Sequence, residues 1–121
     1  MDIADRNYPD AEGMLDKATA AEPNNPQTLV LLANVQLMDQ HFEAAIATCR
    51  KVHSMPHPTQ ALAHYIAARA LEHENRPADA MTELETFLTE EPSGDRADAV
   101  RKELGNLNRQ VQAKQNGTNP N

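Results

Sequence analysis

Apolar residues recur along this chain at spacings of three and four, and the polar turns between these stretches carry most of the prolines. That spacing places side chains on one face of an α-helix. Proline is tolerated in the first helical turn, because its missing N–H has no helical acceptor there, so prolines mark helix starts. Asn25 and Ser93 are predicted caps, since their side-chain oxygens can accept a free N–H. The pattern predicts six helices, over roughly residues 9–22, 26–39, 42–54, 58–73, 77–90 and 95–112.

Residues of like size also return with a period of 34 to 35 positions. Ala11, Ala45 and Ala80 are separated by 34 and 35 residues, and Ala33 and Ala68 by 35. Residues at equivalent positions of successive repeats form a column. Three further columns follow these alanines: Leu15, Cys49 and Leu84, then Ala18, Val52 and Phe87, then Pro23, His57 and Pro92. A repeat of this length is typical of a helix-turn-helix solenoid, in which each unit buries its apolar face by stacking on the next.

Over residues 8–92 the sequence resembles the tetratricopeptide repeat family, whose 34-residue unit has small residues where two helices cross and a proline after the second. The resemblance implies an all-α, right-handed solenoid of antiparallel helix pairs. Gln36 and Pro77 depart from the family by standing where an aromatic residue is common, and His64 stands at the usual tryptophan place. The residues that carry the resemblance are Leu29, Leu32, Ala33, Phe42, Ala45 and Cys49 in one unit and Ala67, Ala68, Leu71, Ala80, Leu84, Phe87 and Pro92 in the next.

The repeat predicts one domain over residues 1–114, made of a half repeat 1–25, repeats 26–59 and 60–92, and a capping helix 93–114, with a polar tail 115–121. The last helix carries an apolar stripe and a charged face, as a terminal cap requires. The unit around Ala11 would need roughly ten further residues to complete its first helix. We therefore expect either a piece of a longer repeat protein or self-association through an exposed N-terminal helix.

Charge and composition limit the classes of partner that the chain is expected to bind. The chain has 11 Lys and Arg residues against 18 Asp and Glu, a net charge of −7, which repels phosphate backbones and argues against nucleic acid. The sequence contains no run of 18 apolar residues, so membrane insertion is not predicted. The N-terminus does not resemble a signal peptide. One cysteine does not fix the compartment, so localisation stays unknown, with the cytoplasm slightly favoured and the periplasm left open. The acids between Glu72 and Asp98 are interpreted as a solvated face, with attraction of a basic partner as the alternative.

No set of residues predicts catalysis or a cofactor, because no nucleophile is paired with a base and no carboxylates converge. The chain is therefore predicted not to be an enzyme. Cys49 and His53 have the spacing of zinc ligands, with His57 just beyond, but Cys49 falls in a core column and is predicted to pack there. No metal site is therefore predicted, and His64 is expected to be partly buried.

The resemblance implies a protein–protein interaction module, a scaffold or adaptor, because the first helices of successive units in this family line a concave groove that receives a peptide or a helix. Asn34 and Arg69 would bind a backbone or carboxylate group. The lack of lysine on the implied inner surface argues against binding of the chaperone tails that some relatives bind. The alternatives are a structural spacer or oligomerisation segment of a larger repeat protein, or an accessory domain of an enzyme. The implied groove residues are Gln27, Val30, Asn34, Leu37, Met38, Leu62, Tyr65, Arg69, Glu72 and His73.

Overall fold

The computed structural model describes the chain over residues 7–55 and 61–118, with side chains through Gln115. Within these ranges it forms six α-helices and no strand. The predicted helix ends are confirmed to within a residue or two where they can be compared, except for the end of the last helix, and the predicted start at Pro58 lies outside the described residues. The helices are α1 Tyr8–Ala21, α2 Pro26–Met38, α3 Phe42–His53, α4 Ala61–His73, α5 Pro77–Glu90 and α6 Asp95–Thr118.

The last helix is longer than the sequence pattern predicts. It continues past Gln112 to Thr118 and so takes in the first residues of the predicted polar tail 115–121. The added stretch lacks apolar residues at helical spacing, but it contains alanine, lysine and glutamine, which are good helix formers. A prediction from apolar periodicity alone therefore places the end of this helix too early.

One of the two predicted caps is confirmed. The Asn25 side-chain oxygen accepts hydrogen bonds from the backbone N–H groups of Gln27 and Thr28 at 3.0 and 3.3 Å. Ser93 is not the cap of α6, because the backbone carbonyl of Gly94 accepts the first helical bond, from Asp98. Gly94 has a φ of +111°, a conformation that glycine adopts without a steric penalty.

The turns inside the two repeats share one geometry. Gln40 and Asn75, 35 residues apart, both have positive φ, at 64° and 61°. The residue after each donates a backbone hydrogen bond to the carbonyl five positions earlier, His41 to Gln36 at 2.8 Å and Arg76 to Leu71 at 2.9 Å. This pattern closes a helix with a left-handed residue and reverses the chain. The repeat is therefore present in the backbone as well as in the side chains.

Small residues lie where the helices cross. Ala33, Ala45, Ala68 and Ala80 are all fully buried. Larger side chains such as Phe87, which is also fully buried, fill the space beside them. The core therefore depends on size complementarity between columns, as close-packed interiors do.

Each helix packs on its neighbours in sequence, and α2 also contacts α4, so the first helices of the two repeats form one wall. At the N-terminal end α1 packs mainly on α2, and Ala18 is exposed although its column is buried in the later units. At the other end α6 covers α5 with its apolar stripe, since Ala97, Val100 and Leu107 are buried. No helix in the described ranges is long and apolar enough to cross a lipid bilayer.

Candidate functional site

A cavity of about 610 Å³ opens along the wall formed by α2 and α4. The turn after α2 and the start of α6 complete its rim through Gln40, Phe42 and Arg96. Seven of the ten residues predicted from the family groove line this cavity. They are Asn34, Leu37, Met38, Leu62, Tyr65, Arg69 and His73.

The other three predicted groove residues lie elsewhere. Val30 is only 7% exposed and belongs to the core that α2 shares with α3 and α4. Gln27 is exposed in the first turn of α2, outside the cavity lining. Glu72 points into a separate depression that it shares with Leu107 and Gln110 of α6. The helical register of α2 and α4 therefore turns these three side chains away from the cavity.

Two arginines approach the ring of Tyr65. The guanidinium carbon of Arg69 lies 5.8 Å from the ring centroid and that of Arg96 lies 5.6 Å from it. Arg69 also donates a hydrogen bond to the Tyr65 hydroxyl at 3.1 Å. The Tyr65 ring packs at an angle against buried Phe87, with centroids 6.0 Å apart, which fixes its position. Cations within about 6 Å of an aromatic face are attracted to it, so Tyr65 holds both guanidinium groups over the cavity.

The cavity combines apolar and positively charged surface. Its described lining includes the apolar residues Leu37, Met38 and Leu62 and contains no Asp or Glu. Met38 is 50% exposed. At one end the rings of Phe42 and His73 stack at 4.5 Å, almost parallel. In a chain of net charge −7, this wall is therefore a local exception that favours an acceptor or an anion.

The neighbouring Glu72 does not cancel that positive charge at neutral pH. Burial raises the pKa of its carboxyl group to about 8, with a further contribution from the adjacent Glu103 carboxylate of α6, while Arg69 opposes the shift. The Glu72 Oε2 atom is buried and has no hydrogen-bond partner in the described part of the chain. The raised pKa therefore favours the neutral form of Glu72 over a partly buried charge beside a second acid.

Arg96 and Phe42 are cavity residues that the sequence reasoning missed. The family groove was assigned from the first helix of each repeat, whereas Phe42 begins α3 and Arg96 lies in the first turn of α6. A signal was present for Arg96, because it directly precedes Ala97, the first residue of the buried stripe of α6. Placing that stripe on α5 would have brought the first turn of α6 to the end of the groove.

Of the three residues with zinc-like spacing, Cys49 packs in the core as predicted. Cys49 is fully buried, and burial raises the pKa of its thiol to about 12, so it packs as a neutral side chain. His57 lies outside the described residues. His64 is partly buried, as expected, and its ring stacks on that of His53 with centroids 3.8 Å apart.

Comparison with known proteins identifies the family. The model of a tetratricopeptide-type family, described as anaphase-promoting complex, cyclosome, subunit 3, matches residues 4–87, more than two thirds of the chain. The chain belongs to this tetratricopeptide repeat family. A search of curated protein sequences found no significant match.

Solved tetratricopeptide repeat domains have the same fold. The first such domain of human RPAP3, solved by NMR, superposes with a TM-score of 0.82 at 19% identity, covering 94% of this chain and 87% of that one. The domain of Arabidopsis OM64 superposes with a TM-score of 0.75 at 20% identity, covering 84% of each chain. At this level of identity the likeness shows the fold alone. Tetratricopeptide repeat domains generally mediate protein–protein interaction.

Proposed function

We propose that the cavity along α2 and α4 binds a segment of a protein partner, as a peptide or a helix. The observation that carries this proposal is the pairing of Arg69 and Arg96 on Tyr65 at the edge of an open apolar cavity. Apolar side chains of the partner would bind against Leu37, Met38 and Leu62. Anchors of this kind supply most of the affinity in small interfaces.

The charged part of the cavity defines what the partner segment should carry. Arg69 and Arg96 present planar groups of N–H donors that match the two oxygens of a carboxylate. The Asn34 side chain can pair with a backbone amide, since it both donates and accepts hydrogen bonds. The favoured ligand is therefore a segment in which apolar residues flank an aspartate or glutamate.

A random peptide library displayed on phage, selected against the chain, would supply the ligand for the test. Selected peptides should carry an acidic residue beside apolar ones, and Arg69→Ala or Arg96→Ala should weaken their binding by roughly tenfold, because each removes a charge-assisted hydrogen bond. Arg50→Ala is the matched control, since Arg50 is an exposed arginine of α3 outside the cavity and its loss changes the net charge equally.

Two outcomes would contradict the proposal. An equal loss of peptide affinity with Arg50→Ala would mean that only net charge matters. Unchanged peptide affinity in both groove variants would mean that the peptide binds elsewhere on the protein. Circular dichroism melts of all three variants should match the wild type, because these side chains are exposed. A chain that selects no peptide at all would instead favour the role of a spacer or oligomerisation segment.

A further inference from the structure

Two histidines and two glutamates meet where three helices join, outside the lining of the groove cavity. His53 is the last residue of α3, and His64 lies in the first turn of α4. Glu83 and Glu90 both belong to α5. The cluster therefore spans the boundary between the two repeats, which lies between α3 and α4.

The two nitrogens of His64 face two different carboxylates. Its Nδ1 atom lies 2.8 Å from Glu83 Oε1, and its Nε2 atom lies 3.3 Å from Glu90 Oε2. A histidine with one nitrogen beside a ligand carboxylate and the other held by a second carboxylate is the arrangement that orients metal-binding imidazoles in proteins. Glu90 thus occupies the position of the outer carboxylate.

Two polar atoms of the cluster have no partner in the protein. His53 Nε2 and Glu90 Oε1 are buried and make no hydrogen bond to any described residue. Buried polar atoms are usually paired, and those that are not often mark an ion or water that completes the site.

We propose that His53, His64 through Nδ1, and Glu83 bind a divalent zinc-class ion, with Glu90 holding the second nitrogen of His64. One ligand atom from each of the three residues lies within 4.8 Å of the other two. Atoms that share a tetrahedral zinc ion are about 3.3 Å apart, given zinc–nitrogen bonds of about 2.0–2.1 Å. The side chains need only rotate and draw together slightly, and water would fill the fourth position.

Binding changes the cluster in two defined ways. The ion takes the place of the proton between His64 and Glu83, and that proton leaves to solvent. The stacked rings of His53 and His64 must also turn out of their parallel arrangement, because each nitrogen lone pair lies in the plane of its ring. Cys49 is not one of the proposed ligands, since its thiol packs in the core outside this group. The bound ion would tie α3, α4 and α5 together across the repeat boundary.

The test is a calorimetric titration of the full, tag-free chain with zinc chloride after treatment with a chelator. One ion should bind per chain with micromolar or tighter affinity, and excess Mg²⁺ should not compete, because imidazole ligands suit zinc rather than magnesium. His53→Gln, His64→Gln and Glu83→Gln should each weaken binding by tenfold or more. His41→Gln is the matched control, because His41 belongs to a more exposed group with Glu12 and Asp39.

A second measurement on the wild type keeps the proposal testable if a variant fails to fold. On addition of zinc, the imidazole nitrogen signals of His53 and His64 should shift in NMR spectra, while those of His41 and His73 stay in place. Failure of the wild type to bind at tens of micromolar zinc overturns the proposal. So does binding that is lost in His41→Gln, or zinc shifts that appear at His41 or His73 instead. None of these outcomes depends on the peptide groove.

Discussion

Glu72 makes the stability of the fold depend on pH. Burial and the neighbouring Glu103 raise the pKa of its carboxyl group from 4.5 to about 8. Between these two values the unfolded chain releases a proton that the folded chain holds, so the free energy of unfolding falls as the pH rises. The contribution is complete below pH 4.5 and is lost as the pH rises through about 8. We therefore expect Glu72→Gln, which is neutral at every pH, to remove a loss of stability that the wild type shows toward alkaline pH.

The size of the effect follows from the shift. One pKa unit corresponds to about 1.36 kcal/mol, so a shift from 4.5 to about 8 sets an upper limit of about 5 kcal/mol. The side chain is only partly buried, and solvent screening reduces what is observed to about 1–2 kcal/mol. Glu72→Gln should therefore match the wild type near pH 4, begin to exceed its free energy of unfolding above that pH, and exceed it by about 1–2 kcal/mol at pH 9.

Urea unfolding followed by circular dichroism at several pH values measures this difference. Glu85→Gln is the control, since Glu85 is an exposed glutamate of α5 and its replacement changes the net charge by the same amount. Parallel pH profiles for the wild type and Glu72→Gln would refute the reasoning. An equal gain at pH 9 from Glu85→Gln would assign the effect to net charge rather than to the buried carboxyl group.

Three further substitutions test the packing and the helix ends, with unfolding free energies from urea titration. Phe87→Ala should cost about 3–5 kcal/mol, because Phe87 is fully buried, and a cost below about 1 kcal/mol would show that the site collapses around the gap. Asn25→Ala should cost about 1 kcal/mol through loss of its two cap hydrogen bonds, and the prediction fails if Asn25→Gly costs as much. Gly94→Ala should cost about 1–2 kcal/mol from its φ of +111° alone, since an added Cβ meets no atom within 4 Å, so an unchanged stability would contradict the backbone argument.

The fold was predictable because its rules are local and repeated. Columns such as Ala33 with Ala68 are set by the size of one side chain, and each column is visible twice in the sequence. The end of α6 was harder to predict, because helix propensity without an apolar stripe leaves no periodic signal. The cluster of His53 and His64 was not predicted, because the two residues lie on either side of the connection between repeats and their meeting depends on how α3 and α4 pack.

The capping helix decides which groove positions stay open. The family pattern places both Arg69 and Glu72 on the inner face of α4. Helix α6, however, brings Arg96 toward Tyr65, close to Arg69, and places Glu103 beside Glu72. Arg69 consequently gains a neighbour of like charge in an open cavity, whereas partly buried Glu72 lies beside a second acid that raises the pKa of its carboxyl group. Because α6 follows the last repeat, it has no equivalent column earlier in the chain from which its contacts could be inferred. The partner binding that we propose for this wall therefore depends on α6 as well as on the repeats.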